Sequence, residues 1–160
     1  MMKIDQPQLE LLERLTNACG VSGDEGAVRK IVLGEIKDHA DEVRVDALGN
    51  ILATCKGEGT EERLKVMVAA HMDEVGFMLT SDEKKGLYRF SRVGGLDPRQ
   101  LVGKSLWIGD DRVPGVIGAK PIHFTKREER EKAISLDSLR IDVGPENASK
   151  VKVGDRATFA

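Results

Sequence analysis

Hydrophobic positions near the start of the chain follow a helical period. Leucines recur at every third position from Leu9 to Leu15, after Asp5 and Pro7, which suit an N-cap and a first helical turn. We therefore predict a first helix that ends near Asn17.

A second helix is predicted behind a short turn that contains glycine. Ser22 and Glu25 have the spacing of a capping box, in which each side chain accepts a hydrogen bond from the backbone N–H of the other residue. Apolar residues at 28, 31, 32 and 36 continue along one helical face. This helix is expected to end near Lys37.

The period then changes from helical to alternating. Val43 and Val45 alternate with charged residues, Asp46–Asn50 has the composition of a turn, and Ile51–Thr54 favours a strand, so a hairpin is predicted. Leu64–Ala70 is an apolar run that suits a strand buried on both faces. Two helices, a hairpin and a buried strand that ends in polar residues are typical of an α/β sheet, in which sites gather at the carboxyl ends of strands.

The chain changes character near Ser81. Short β-prone runs separated by Gly, Pro and Asp turns predict a small β-barrel, with runs at 87–90, 101–108, 115–118, 139–143 and 156–159. Trp107 is expected to pack within the barrel, and Lys126–Lys132 is expected to form a solvated loop or a short exposed helix. We therefore divide the chain into the N-terminal part of an α/β domain, residues 1–80, and a β-barrel domain, residues 81–160.

Composition and charge exclude several classes of function. The 160 residues, 40% hydrophobic and 32% charged, correspond to about one globular domain, and the net charge of −2 comes with no basic stripe that would follow a nucleic acid. No apolar stretch approaches the roughly 18 residues of a membrane span, and Met1–Leu12 lacks the apolar core of a secretory signal. Two widely spaced cysteines, Cys19 and Cys55, are expected to be reduced thiols. We expect a cytoplasmic protein with no nucleic-acid or membrane partner.

The clearest chemical feature is His71-x-Asp73-Glu74, directly after the predicted buried strand. Imidazole is a common metal ligand, and at a strand period of two His71 and Asp73 would share one face. Asp73 could then accept the other ring N–H and fix the tautomer of the histidine. The spacing fits equally well a histidine and a hydrogen-bonded aspartate that merely end a strand, since this pattern is short.

Several motifs elsewhere in the chain occur in one fixed order and resemble those of the tetrahedral (TET) metallo-aminopeptidases, which include glutamyl aminopeptidases and FrvX-like proteins, some labelled endoglucanases. The resemblance extends over essentially the whole chain. Its blocks are Gly20-Val21-Ser22-Gly23-x-Glu25, Val45-Asp46-x-Leu48-Gly49-Asn50, Ala69-Ala70-His71-Met72-Asp73-Glu74-Val75-Gly76-Phe77, Gly115-Val116-Ile117-Gly118-x-Lys120-Pro121-x-His123, Leu139-x-Ile141-Asp142-Val143-Gly144 and Val153-Gly154-Asp155-x-Ala157-x-Phe159.

The resemblance implies an α/β catalytic domain of the metallopeptidase type that is interrupted, from about residue 81, by a PA-like β-barrel dimerisation domain. By that resemblance, His71 binds one of two divalent metal ions, Zn or Co, with Mn also compatible, and Asp73 orients this ligand or the neighbouring base. Substrates would be short peptides with free N-termini. The barrel would assemble the protein into homodimers and into a dodecameric shell.

The family's remaining metal ligands and its general-base Glu follow the dimerisation domain, and the chain stops at Ala160. We therefore expect an N-terminal fragment of the enzyme, inactive alone, because a single imidazole cannot hold two metals. Without that remainder, residues 1–80 are expected to be less stable than 81–160.

Other interpretations compete with the peptidase. A non-catalytic assembly or binding remnant built on the barrel would need no metal. A glycoside hydrolase needs two carboxyl groups that flank one bond, and adjacent Asp73 and Glu74 would point to opposite faces of a strand. His123 follows a rigid Lys120-Pro121 turn and could either reach a partner subunit's site or lie in a surface loop at the barrel rim.

Overall fold

The structure is a computed structural model that describes residues 4–59, 64–125 and 134–160. The chain divides into two compact units, Met1–Asp73 and Glu74–Ala160. This division lies ahead of the expected one at residue 80, because Gly76–Asp82 is a strand of the barrel and pairs with its neighbours there. The segment Lys126–Lys132 lies outside the described residues.

The first helix, α1, extends over Gln6–Thr16 and confirms the prediction. The Asp5 side chain accepts a hydrogen bond from the backbone N–H of Gln8, and the Gln8 side chain accepts one from the backbone N–H of Asp5. This reciprocal cap satisfies two donors that a helix start leaves without intrahelical partners.

The second helix, α2, extends over Gly26–Ile36, but the predicted capping box is wrong. The N-cap residue is Glu25, so Ser22 lies too early to cap the first turn, and no side chain caps the helix. The Glu25 carboxylate instead accepts from the backbone N–H of Gly23 at 2.6 Å. The Ser22 hydroxyl instead donates a hydrogen bond to Asp73.

The predicted hairpin is confirmed as β1 (Glu42–Val45) paired antiparallel with β2 (Ile51–Thr54). Asp46 closes the turn, because one of its carboxylate oxygens accepts from the backbone N–H groups of both Leu48 and Asn50, each at 2.9 Å. The aspartate thus has a local structural role, as Asx residues commonly do in turns.

The prediction of a buried strand at Leu64–Ala70 is wrong for this structure. The segment belongs to no helix or strand, and Leu64, Met67 and Val68 are 90%, 88% and 92% exposed. A strand buried on both faces needs neighbouring strands for its backbone and covering layers for its side chains. In the described part of the first unit, the hairpin strands pair only with each other.

The second unit confirms the predicted barrel. Six antiparallel strands close in the order β3-β4-β7-β6-β5-β8, and short 3₁₀ turns at Pro98–Gln100, Ile122–Phe124, Leu136–Ser138 and Ala148–Lys150 lie between them. The strands are β3 Gly76–Asp82, β4 Leu87–Val93, β5 Ser105–Ile108, β6 Val113–Gly118, β7 Arg140–Asp142 and β8 Arg156–Phe159. Closure leaves no edge strand in this sheet.

Side chains that alternate inward along the strands fill the barrel. Phe77 is fully buried and meets Phe90 and Phe159 edge to face, at centroid distances of 5.2 and 5.4 Å. The expectation that Trp107 packs inside is wrong, because Leu106 and Ile108 take the inward positions and leave Trp107 38% exposed. In the described residues, no helix is long and apolar enough to cross a membrane.

Candidate metal centre

The candidate site lies in the first unit, where the turn before α2 meets the segment that contains His71. The backbone N–H of Asp24 donates to Val21 O at 2.7 Å, and Gly23 takes the positive φ of +84° that this turn requires. Val21 is 1% exposed, so its buried side chain anchors the turn.

Glycine at position 20 permits the two segments to approach closely. A Cβ added to Gly20 would lie 2.8 Å from a methyl of Val28 and 3.2 Å from the backbone oxygen of Met72. A larger residue would push these neighbours apart. The turn that carries Ser22 is therefore held against the residue that precedes Asp73.

The Asp73 carboxylate joins the two segments through hydrogen bonds. Its Oδ2 accepts from the Ser22 hydroxyl, and its Oδ1 lies 3.2 Å from Nδ1 of His71. The bond from Ser22 is the main cause that lowers the pKa of Asp73 below its ordinary value, with His71 contributing and desolvation opposing. Asp73 therefore stays an ionised acceptor for both partners.

The geometry also determines the tautomer of His71. Its Nδ1 lies 2.9 Å from the backbone oxygen of Asp73. A carbonyl oxygen only accepts hydrogen bonds, so Nδ1 carries the proton and Nε2 keeps its lone pair. The side chain is 86% exposed, which leaves this ring accessible.

The origin of the contact differs from the prediction. His71 and Asp73 were expected to share a face of a strand, but residues 71–73 lie outside any strand in this structure. They meet because the histidine ring folds back onto the backbone and carboxylate of the residue two positions later. The His71–Asp73 pair that the motif suggested is thus present through a contact within one short segment.

The other candidate residues lie elsewhere. His123 is in the barrel unit, in the exposed turn Ile122–Phe124, with its ring centroid 4.4 Å from that of Phe124. In the first unit, the backbone oxygen of His39 accepts from the Cys55 thiol at 3.3 Å. Within residues 4–59, 64–125 and 134–160, no group of three or more His, Cys, Asp or Glu side chains is placed to hold a metal.

Ser22 is the participant that sequence analysis missed. It lies 51 positions from Asp73, and its only local signal, the spacing to Glu25, pointed to a helix cap instead. The resemblance placed Ser22 in a motif without assigning it a role. The contact forms only because the fold brings the turn next to the segment that contains His71.

An aspartate-bound histidine in one unit and a closed barrel in the next fit the class of metallo-aminopeptidases that the motifs resemble. The family model described as M42 glutamyl aminopeptidase matches residues 49–160, and the chain belongs to this family.

Relatives and solved structures agree with this assignment. A protein of Acetivibrio thermocellus with an aminopeptidase name is 39% identical over 97% of this chain and 45% of its own length. The TET aminopeptidase of Thaumarchaeota archaeon SCGC AB-539-E09 is 34% identical with a TM-score of 0.85, over 94% of this chain and 44% of that one.

A third similar protein, the TET1 peptidase of Pyrococcus horikoshii, has a TM-score of 0.77 and 37% identity, over 94% of this chain and 46% of its own. Its structure is described as able to assemble into a tetrahedron or a large octahedral shell. The present chain spans less than half the length of the curated relatives it matches, between 36% and 45% for three of them.

Proposed function

We propose that this chain forms the N-terminal part of a metal-dependent aminopeptidase that removes N-terminal residues from short peptides. The observation that carries the proposal is the bonded pair of His71 and Asp73 in a chain of the M42 family. The share of the relatives' length that the chain spans supports its status as one part of a longer enzyme.

The described residues fit one position in a metal site. His71 has the features of a ligand, since Nδ1–H is bonded to Asp73 and the Nε2 lone pair belongs to a ring that is largely exposed. Two divalent ions, Zn or Co with Mn also compatible, would supply Lewis-acid activation of the peptide carbonyl and a hydroxide nucleophile. We assign the remaining ligands and the general-base Glu to residues outside this chain.

Asp73 contributes in two ways to the proposed reaction. Its acceptor oxygens hold the histidine ring in one orientation, and its negative charge raises the basicity of the imidazole as a ligand. Neither role requires Asp73 to touch the metal. The chain therefore supplies one ligand and the aspartate that orients it.

Two variants of the complete enzyme test this proposal. His71→Ala should abolish release of N-terminal residues and lower the metal content measured by mass spectrometry, because a ligand is lost. Asp73→Asn should reduce the activity about 10- to 100-fold with a smaller loss of metal, since the ligand itself remains. His39→Ala is the matched control for removal of a histidine from the same unit and should change neither quantity. Unchanged turnover in His71→Ala would exclude His71 as a ligand.

A second candidate function, assembly through the barrel, rests on a different observation. An outer apolar strip formed by Trp107, Pro114 and Val116 lies exposed on β5 and β6, where Trp107 and Pro114 are cross-strand partners. We infer that residues 81–160 form a homodimer contact, consistent with the shells that the Pyrococcus horikoshii peptidase can form. A dodecamer would be built from such dimers.

Sedimentation velocity tests the assembly role. Trp107→Lys should shift the protein toward monomer, because the lysine would place a charge within the apolar strip. Ser91→Lys adds the same charge at an exposed position on β4 and should leave the distribution unchanged. An assembly module without catalysis would lose its oligomers in Trp107→Lys and bind no metal in either variant.

A further inference from the structure

The Ser22 hydroxyl forms a hydrogen bond with a residue far away in the sequence. It donates to Oδ2 of Asp73, while Oδ1 of the same carboxylate lies 3.2 Å from Nδ1 of His71. An ionised carboxylate only accepts hydrogen bonds, so each of its oxygens serves a different donor. The two bonds together fix the rotation of the carboxylate plane.

Several contacts make Ser22 a rigid support for this bond. The neighbouring Val21 is buried, and the turn is closed by the bond from Asp24 N–H to Val21 O. On the other side, Glu25 accepts from the backbone of Gly23 and also pairs with Arg29 at 3.4 Å in α2. The turn that carries the hydroxyl is therefore held in place from both sides.

The bond from the backbone oxygen of Asp73 to His71 does not replace the role of Ser22. That bond determines which ring nitrogen carries the proton, but a single carbonyl leaves the ring free to tilt about it. The carboxylate supplies the second point of attachment, and it does so only if it is itself prevented from rotating. In this structure the Ser22 hydroxyl donates to Oδ2 of the same carboxylate, and this bond opposes its rotation.

We propose that Ser22 is a positioning residue, whose hydroxyl holds Asp73 so that the carboxylate orients the His71 ring with Nε2 available to a divalent cation. This inference rests on the proposed metal role of His71. It extends that role by assigning a third side chain, which touches neither metal nor substrate. It also accounts for a serine that has the spacing of a helix cap but does not cap the helix.

The test uses the full chain labelled with ¹³C and ¹⁵N and compares the wild type with Ser22→Ala and Ser22→Thr. In metal-free protein, Ser22→Ala should shift the side-chain carboxyl resonance of Asp73 and the ring nitrogen resonances of His71, since the hydroxyl bond is gone. Ser22→Thr keeps the hydroxyl and should restore the wild-type values. Ser91→Ala, which removes an exposed serine from the barrel, is the matched control.

A Zn²⁺ titration of the same samples measures the consequence for binding. Ser22→Ala should raise the Zn²⁺ concentration needed to shift His71 Nε2 by about tenfold, the lower end of what loss of an outer partner costs a metal site. Ser22→Thr should remain within about twofold of the wild type. Barrel resonances serve as an internal reference that the second unit is intact.

The outcomes separate the two proposals. Unchanged Asp73 and His71 resonances in a folded Ser22→Ala chain would overturn the positioning role. If His71→Ala leaves the metal content of the complete enzyme unchanged, the proposed metal role fails, and the metal-free spectra alone decide the role of Ser22. If Ser22→Ala unfolds the first unit, Ser22→Cys supplies the comparison, because it keeps the size of the side chain but is a weaker donor.

Discussion

The two units differ sharply in how they use their apolar residues. In the barrel, Glu74–Ala160, buried side chains form one continuous core cluster that includes Phe77, Leu79 and Ile108, each 0% exposed. In the described part of Met1–Asp73, the buried hydrophobic residues are Val21 and Val28. An apolar sequence is therefore not sufficient for a core, since the backbone around it must also find partners.

The backbone of the barrel finds partners because each strand has a neighbouring strand on both sides. Every inward side chain then meets others across the closed sheet, and the backbone N–H and C=O groups are paired within it. Leu64–Ala70 is as apolar as any barrel strand but has no paired neighbour in the described residues. The difference between the units is one of pairing rather than of composition.

The largest expected difference between the two units is in the rate of amide hydrogen exchange. Amides in β3, such as Leu79, which donates to Asp155 O at 3.0 Å, should exchange on the order of a thousandfold or more slowly than amides of Leu64–Ala70. The measurement is exchange of the intact chain followed by mass spectrometry of peptides. Equal protection in the two segments would contradict the difference between the units.

The next largest expected effect is the loss of stability caused by truncation of a core side chain. Phe77→Ala removes a fully buried ring that contacts Phe90 and Phe159, and it should lower the free energy of unfolding by about 3 to 5 kcal/mol. Urea unfolding followed by the fluorescence of Trp107, the single tryptophan, reports on the barrel directly.

Two exposed positions provide controls for this truncation. Val153→Ala in an exposed turn of the barrel and Leu12→Ala on α1, at 52% and 55% exposure, should each change stability by no more than about 0.5 kcal/mol. A loss in Leu12→Ala as large as in Phe77→Ala, followed for the first unit by the circular dichroism of its helices, would show that this unit has a core of its own.

Local patterns predicted those parts of the fold that depend on local interactions. The cap at Asp5, the hairpin turn at Asp46–Asn50 and most barrel strands follow from spacing, turn chemistry and alternation, all of which act within a few residues. The barrel begins at Gly76, ahead of the predicted start at residue 81, because Gly76–Asp82 pairs with β4 and β8.

The failures concern interactions between distant residues. Alternation cannot show whether Leu64–Ala70 has partner strands, nor which side of a strand faces the core, and so Trp107 was placed inside. At the site, the motif indicated His71 and Asp73, but the bond to Ser22 depends on the approach of two segments 51 positions apart. Spacing alone left open whether His71 and Asp73 form a metal site or merely end a strand, and the resemblance to the family favoured the metal site.

The smallest expected effect is the contribution of a surface ion-pair cluster to the stability of the barrel, and this contribution depends on pH. The Glu83 carboxylate accepts hydrogen bonds from Arg140 and Arg89, and these bonds, with that of Arg140 the stronger influence, hold the pKa of Glu83 below its ordinary value of 4.5. Because the pKa is lower in the folded protein, the cluster stabilises the barrel above about pH 4.5, and this stabilisation is lost as the pH falls through the folded-state pKa.

The variant Glu83→Gln should therefore melt below the wild type at pH 7, and the gap should close as the pH is lowered past 4.5. High salt should narrow the gap at pH 7 as well, since the side chains of Glu83 and Arg89 are 30% and 51% exposed and are screened by solvent. Asp110→Asn removes an exposed carboxylate from the turn between β5 and β6 and controls for the change in net charge. A gap that persists unchanged at pH 3 would mean that the glutamate stabilises the barrel through packing rather than charge.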